Sequence, residues 1–196
     1  MDYRTIPGGK GANQAVAAAR LGGRVYFVGR TGNDDFAEKM LQTMQDAGIH
    51  ADYIVTDPEN TTGIALIVVE SSGDNRIIVV PGANARVSGE DVERAFCSHH
   101  GAEALILQFE IPLETAFFAV EQAWKKQIPV FLNAAPAYRI PDHILSKVDF
   151  LIVNETELGF LAGCEVVDRE SGRKAAEPFL DKGVGCVVLT LGANGA

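Results

Sequence analysis

Hydrophobic residues fall along this chain in short unbroken clusters, separated by longer stretches in which they recur every three or four positions. Unbroken runs of Val, Ile and Leu read as strands buried on both faces, and the three-to-four spacing reads as amphipathic helix. Asn13 to Leu21 has the helical spacing and stops at Gly22-Gly23. Val25 to Val28 is a short apolar strand. Asp34 or Asp35 can cap a helix that passes through Met40, Leu41 and Met44 and ends before Gly48. Asp57-Pro58-Glu59-Asn60 is a turn signal. Gly63 to Val69 and Arg76 to Val80 are β-rich, and only Ser71-Ser72-Gly73-Asp74-Asn75 separates them, which predicts a hairpin.

From Ser88 onward the order is strictly helix then strand. Ser88 can cap a helix to about Ser98, Ala104 to Leu107 is a buried strand, and Pro112 fits the first turn of a helix ending near Gln127. Val130 to Leu132, Phe150 to Val153 and Val187 to Leu191 are further apolar strands with helices in the gaps. Such a pattern predicts an α/β fold, a parallel sheet covered by helices on both faces. The hairpin is the exception and is expected to form a small separate sheet. No internal repeat or low-complexity linker divides residues 1–196, so a single domain is expected.

In open parallel sheets, ligands bind beyond the carboxyl ends of the strands. Four strands in succession release polar or glycine-rich segments there: Gln108-Phe109-Glu110, Asn133, Asn154-Glu155-Thr156-Glu157 and Gly192-Ala193-Asn194-Gly195. Together they predict a ligand-binding rim. A fifth segment, Pro7-Gly8-Gly9-Lys10-Gly11-Ala12-Asn13, crowds three glycines around one lysine directly before a helix. Glycine lets bare backbone approach a ligand, and the first helical N–H groups have no internal partners. The run is neither a P-loop, since Lys10 precedes Gly11 rather than Ser or Thr, nor a dinucleotide fingerprint, since Gln14 stands where the last glycine belongs.

Several of these segments have a purely structural reading beside the functional one. Asn154 followed by Glu157 has the spacing of a capping box, and such a helix start can also hold phosphate or magnesium-bound water. Glu110 could be a buried acceptor, a surface carboxylate or a substrate contact. Gly192 to Gly195 could be a simple turn or a loop that admits a nucleotide. His99-His100, at a helix end, reads as solvated surface, and no spacing of His and Cys suggests a metal site.

Composition narrows the function classes. The 196 residues are 47% hydrophobic and 22% charged, ordinary for a globular protein. A net charge of -9 argues against a nucleic-acid partner. No apolar run reaches spanning length and no leader pattern opens the chain, so no membrane association and a cytoplasmic location are expected. Cys97, Cys164 and Cys186 lie far apart, which indicates neither a disulfide framework nor a zinc knuckle.

With these residues in view, the chain resembles the ribokinase-like (PfkB-type) carbohydrate kinases. The resemblance is carried by Gly8-Gly9-Lys10-Gly11-Ala12-Asn13-Gln14-Ala15, Thr31-Gly32-Asn33-Asp34, Pro81-Gly82-Ala83-Asn84-Ala85 and Leu107-Gln108-Phe109-Glu110. It continues through Asn133-Ala134-Ala135-Pro136-Ala137, Asn154-Glu155-Thr156-Glu157 and Thr190-Leu191-Gly192-Ala193-Asn194-Gly195. The lysine in the glycine run, with Asn-Gln-Ala after it, favours the ribokinase branch over fructokinase-like or adenosine-kinase-like relatives.

The resemblance implies a three-layer α/β/α fold with a mostly parallel sheet and a small β lid within about 53–82. It implies transfer of the γ-phosphoryl group of ATP to a sugar hydroxyl, most simply D-ribose to D-ribose 5-phosphate, with Mg2+ and with K+ as activator. Gly8, Gly9, Lys10 and Asn13 are then sugar contacts, with Glu110 a further one. Asn154 approaches the nucleotide phosphates, Glu157 organises magnesium through water, and Thr190, Leu191, Gly192, Ala193, Asn194 and Gly195 form part of the ATP site. The lid closes over the sugar and forms a homodimer contact. Closure excludes water that would compete as phosphoryl acceptor.

The same resemblance implies a strand and an Asn-x-Asp segment ahead of the glycine run, and a Gly-Ala-Gly-Asp-type segment with the catalytic aspartate beyond Ala196. On that reading the chain is truncated at both ends, holds no catalytic residue of its own and is inactive alone. The alternatives are a catalytically dead sugar-binding or dimerisation module, and a kinase for another pentose, a nucleoside or a sugar acid.

Overall fold

The computed structural model describes residues 4–69, 75–98 and 101–196. The expected hairpin turn at Ser71 to Asp74 and the His99-His100 pair lie outside the described residues. The chain divides into two compact units, residues 1–95 with 110–112 and residues 96–109 with 113–196.

The first unit begins with helix α1 (Lys10–Arg20), which starts three residues earlier than the apolar spacing indicates. Lys10 therefore lies in the first helical turn rather than in a loop ahead of it, and Asn13 follows one turn later. Strand β1 (Tyr26–Thr31) runs on through Gly29-Arg30-Thr31, past the expected end at Val28. Helix α2 (Asp35–Asp46) is capped by Asp34, whose carboxylate accepts the Ala37 N–H at 3.0 Å. It leads to β2 (His50–Thr56), a strand the sequence pattern did not indicate. The reason is its burial: nearly every position of β2 is half-buried, so its side chains show no inside-outside alternation. β2 pairs in parallel with β1, and α2 supplies the crossover that parallel neighbours require. Ala12 and Ala15 of α1, Met44 of α2 and Ile49 form the core here, joined by Val25, Phe27 and Ile54.

β3 (Ile64–Val69) and β4 (Asn75–Val80) form the expected antiparallel hairpin as a two-stranded sheet of its own, with Ile64 opposite Val80 and Ile67 opposite Ile77. A short 3-10 turn (Gly82–Arg86) and helix α3 (Gly89–Ser98) follow.

The second unit is a four-stranded sheet of β5 (Leu105–Leu107), β6 (Val130–Asn133), β7 (Phe150–Asn154) and β8 (Cys186–Thr190), in that order and all parallel. Helix α4 (Leu113–Lys125) packs on β5 and β6 through Ala116, Ala119, Val120 and Ala123, whose small side chains allow close approach. The gap before β7 holds only one helical turn, α5 (Asp142–Leu145), whereas the gap before β8 holds two helices, α6 (Glu155–Ala162) and α7 (Arg169–Asp181).

The sheet faces differ. Leu107, Leu132 and Leu151 form a cross-strand row on one face and are buried. Each such side chain contributes about 1.5–3 kcal/mol on burial. The row on the opposite face is Ile106, Phe131 and Phe150. There the two phenyl rings stack at 4.3 Å and Ile106 remains 46% exposed. Among the described residues no helix is long and apolar enough to cross a membrane.

Candidate functional site

The first unit assembles one set of the expected site residues. Gly9 precedes α1 at φ 95°, in the region that side chains avoid, so glycine is required there by conformation. No side chain of its own segment caps this helix, and its first turn carries no acidic residue. The cap comes from 100 residues away: a carboxylate oxygen of Glu110 accepts the Lys10 N–H at 2.7 Å. That distance is typical of a charge-assisted hydrogen bond. The same oxygen lies 3.5 Å from where a Cβ on Gly9 would sit. Asn13, exposed, stands three residues after Lys10 on the same helical face, and its N–H closes the first helical bond to the Gly9 carbonyl at 2.9 Å. Gly8, Gly9, Lys10, Asn13 and Glu110 are thus gathered at one helix start, and Glu110, one of three residues that return to this unit, is a cross-chain acceptor.

The second unit assembles the rest. Because its four strands are parallel, Gln108, Asn133, Asn154 and Thr190 all fall at one edge, as the strand-end pattern indicated. Asn154 and Thr190 are cross-strand partners there, and the Thr190 hydroxyl donates to the Val153 carbonyl at 3.4 Å. Asn154 and Glu157 form a complete capping box. The Glu157 N–H donates to Asn154 Oδ1 at 2.8 Å, and the Asn154 N–H donates to Glu157 Oε2 at 3.0 Å. Asn133 spends its side-chain amide on the Ile152 carbonyl at 3.1 Å, bracing β6 against β7.

β8 ends at Thr190, so Leu191 opens the loop rather than closing the strand. The loop is drawn tight by Leu191 N–H to the Gly195 carbonyl at 2.7 Å and Asn194 N–H to the Leu191 carbonyl at 3.0 Å. Gly192 and Gly195 have φ of 55° and 87° and open space on their Cβ side. Ala193 and Asn194, between them, are exposed.

No three His, Cys, Asp or Glu residues are grouped so as to hold a metal, among the described residues. Glu157, with one oxygen already bound to an amide, fits an ion that keeps its own water shell and meets the carboxylate through it. That is the habit of Mg2+ beside phosphates. A shallow cavity of about 370 Å³ in the first unit is lined by Thr5, Asp34, Asp35, Phe36 and Lys39, none of them an expected site residue.

The family model described as pfkB family carbohydrate kinase matches residues 1–196. The chain belongs to this family. A ribokinase of Haemophilus influenzae is 41% identical over 194 residues, 99% of this chain and 63% of its own length. A deoxyribokinase of Salmonella typhi is 40% identical over 190 residues, 96% of this chain and 62% of its own length. The chain thus spans somewhat under two thirds of the curated relatives it matches. Among solved structures, Arabidopsis thaliana ribokinase complexed with ribose and ATP superposes with a TM-score of 0.84 at 34% identity, over 94% of this chain and 61% of that one. The ribokinase-like α/β fold expected from the sequence is therefore borne out.

One feature of this pfkB-family chain escaped the sequence reading. The two ends of the hairpin are clamped together at its root. Thr62 gives its N–H and hydroxyl to the two Asp34 oxygens, each at 2.7 Å, and accepts the Gly32 N–H at 3.0 Å. The Ala83 N–H reaches the Thr61 carbonyl at 2.8 Å. Burial raises the Asp34 pKa, but the donors on Thr62, Ala37 and Phe36 outweigh it and hold the carboxyl below its ordinary value. A signal was present, since Gly32, Gly63 and Gly82 all stand at segment junctions. Any Cβ on Gly32 would lie 2.5 Å from the Thr62 nitrogen, and on Gly63 2.6 Å from the Pro81 oxygen.

Proposed function

We propose that this chain carries the sugar loop and the nucleotide-phosphate edge of an ATP-dependent sugar kinase whose acceptor is D-ribose. The observation that carries the reading is the helix start that holds Gly8, Gly9, Lys10 and Asn13, with the Glu110 carboxylate bound to the Lys10 N–H. A sugar hydroxyl both donates and accepts, so a mixed set of donors and one carboxylate suits a polyol. An anion at the same place would be repelled by Glu110. Gly8 and Gly9 let the backbone approach the ring, and Lys10, Asn13 and Glu110 bind and orient its hydroxyls.

In the second unit, Asn154 orients the phosphates and Glu157 holds the water shell of magnesium. Thr190, Leu191, Gly192, Ala193, Asn194 and Gly195 give the nucleotide a surface of backbone and small side chains. Bound MgATP supplies the γ-phosphoryl group and neutralises part of its charge. K+ is carried over from the family resemblance as an activator. The β3–β4 hairpin serves as the lid that excludes water from the sugar, and as a homodimer contact. Support for the whole reading comes from the family membership and from the ribokinase relatives.

One observation favours a second acceptor. The Salmonella relative, almost as similar as the Haemophilus one, is a deoxyribokinase. Calorimetric titration of the chain with D-ribose and 2-deoxy-D-ribose separates the two. Saturable D-ribose binding is expected, with Lys10→Ala and Asn13→Ala each weakening it by about threefold to tenfold, the worth of one hydrogen bond. Tighter binding of the deoxy sugar would transfer the assignment to it. A heat signal that ignores both substitutions would remove the sugar reading altogether.

A further inference from the structure

The Glu110 carboxylate does work that a substrate contact does not need. Helix α1 has no cap of its own: Gly9 lacks a side chain and the first turn carries no acid. An uncapped helix start leaves several N–H groups without partners and frays readily. Here the first of those groups, on Lys10, is bound by Glu110 at 2.7 Å across 100 residues of sequence. The negative charge also sits at the positive end of the helix, where it is stabilising. Gly9, at a φ of 95° that glycine adopts freely, is the residue whose place this bond fixes, because its carbonyl is held from the other side by the Asn13 N–H.

We infer that Glu110 is a positioning residue: by capping α1 through the Lys10 N–H it holds the Gly8-Gly9 backbone, Lys10 and Asn13 in the arrangement that receives the sugar. The inference rests on the sugar reading of this loop, but the bond itself can be tested apart from it. Substrate affinity then depends on Glu110 through the order of the loop as well as through any direct contact.

The test uses the whole chain labelled with 15N-lysine, with the Lys10 amide signal assigned through Lys10→Arg. In the unsubstituted chain the Lys10 amide is expected to be protected from solvent exchange, although it lies at a helix start. Glu110→Ala should speed its exchange by about tenfold or more and weaken D-ribose binding to a similar degree, the scale of a charge-assisted bond. Glu110→Gln keeps an oxygen acceptor of nearly the same length. It should restore part of the protection, the share a neutral hydrogen bond supplies, and with it part of the affinity.

Lys10 exchange that is unchanged in Glu110→Ala overturns the inference. So does a Glu110→Gln chain in which the amide is protected again while D-ribose binding stays as poor as in Glu110→Ala, because Glu110 would then act only as a charged sugar contact. If the unsubstituted chain binds no D-ribose while the Lys10 amide responds as described, the capping stands and the sugar reading fails.

Discussion

Arg30 lies among acids that hold the first unit together. Its Nε donates to a buried oxygen of Asp91 at 2.7 Å, while Asp57 stands 3.9 Å from another of its nitrogens. The hydrogen bond that Arg30 donates to Asp91 raises the Arg30 pKa. Burial pushes the Asp91 carboxyl up, but the Arg30 bond, the Ser88 N–H and the Arg30 charge pull it further down, so the net shift is downward. Asp57 is also lowered, by the Glu59 N–H, the Asn60 side chain and then Arg30. A carboxyl whose folded pKa is depressed contributes its stability above the unfolded value of about 3.9 and loses it as pH falls through the folded value. Asp91→Asn leaves Arg30 half-compensated and should cost about 2–3 kcal/mol at neutral pH. Urea unfolding at pH 7 and again below pH 4 checks this, because the gap between the two proteins should narrow on the acid side. A gap of equal size at both pH values would show that the Asp91 charge is not what stabilises the fold. None of this network was legible in the sequence, since Arg30, Asp57 and Asp91 are ordinary surface residue types in three separate segments. Glu110 was legible as a candidate because it follows a strand and falls in a segment of the family resemblance; its partner at Lys10 is visible only in three dimensions.

At the scale of elements, what could be read in advance depended on whether local pattern or tertiary contact decided the outcome. The strands β5 to β8 are dominated by continuous apolar side chains, and the sequence located all four to within about two residues. The capping box of α6 was equally local and is present as read. β2 was missed because its half-burial on both faces erases any alternation, and its place is set by pairing with β1. The early start of α1 was missed because its cap is supplied from Glu110 rather than from a neighbouring residue. The hairpin itself was legible and its root was not. That root is close-packed backbone, with Gly32 against the Thr61-Thr62 peptide and Gly82 against the Thr61 carbonyl. Gly32→Ala should therefore force the two segments apart, at a cost of about 2 kcal/mol or more, within the range of overpacked buried sites. Hydrogen exchange of the β3 amides should rise along with the loss of global stability. Unchanged β3 protection would mean that the clamp does not hold the hairpin.

At the scale of the molecule, the hairpin concentrates exposed apolar side chains on both of its faces. Ile67 and Ile77 face each other on one side at 59% exposure each, and Leu66 and Ile78 face each other on the other side at 53% and 58%. A two-stranded sheet is marginal in water by itself, and contiguous exposed apolar surface of this kind marks a place of association. A second copy of the chain is the occupant the dimer proposal requires. Both faces are apolar, so two hairpins can cover one another symmetrically, as a twofold contact demands. Burying a half-exposed isoleucine contributes about 1 kcal/mol, and several such side chains must act together to hold a dimer. Sedimentation equilibrium should therefore show concentration-dependent dimers in the micromolar range. Placing opposite charges on directly paired positions preserves cross-strand attraction while removing the apolar face, so the hairpin itself should survive. Ile67→Lys with Ile77→Glu, or Leu66→Lys with Ile78→Glu, should each weaken dimerisation by about tenfold or more for the loss of two buried side chains. A chain that stays monomeric at all concentrations, or double variants that dimerise as the parent does, would rule the hairpin out as a dimer contact.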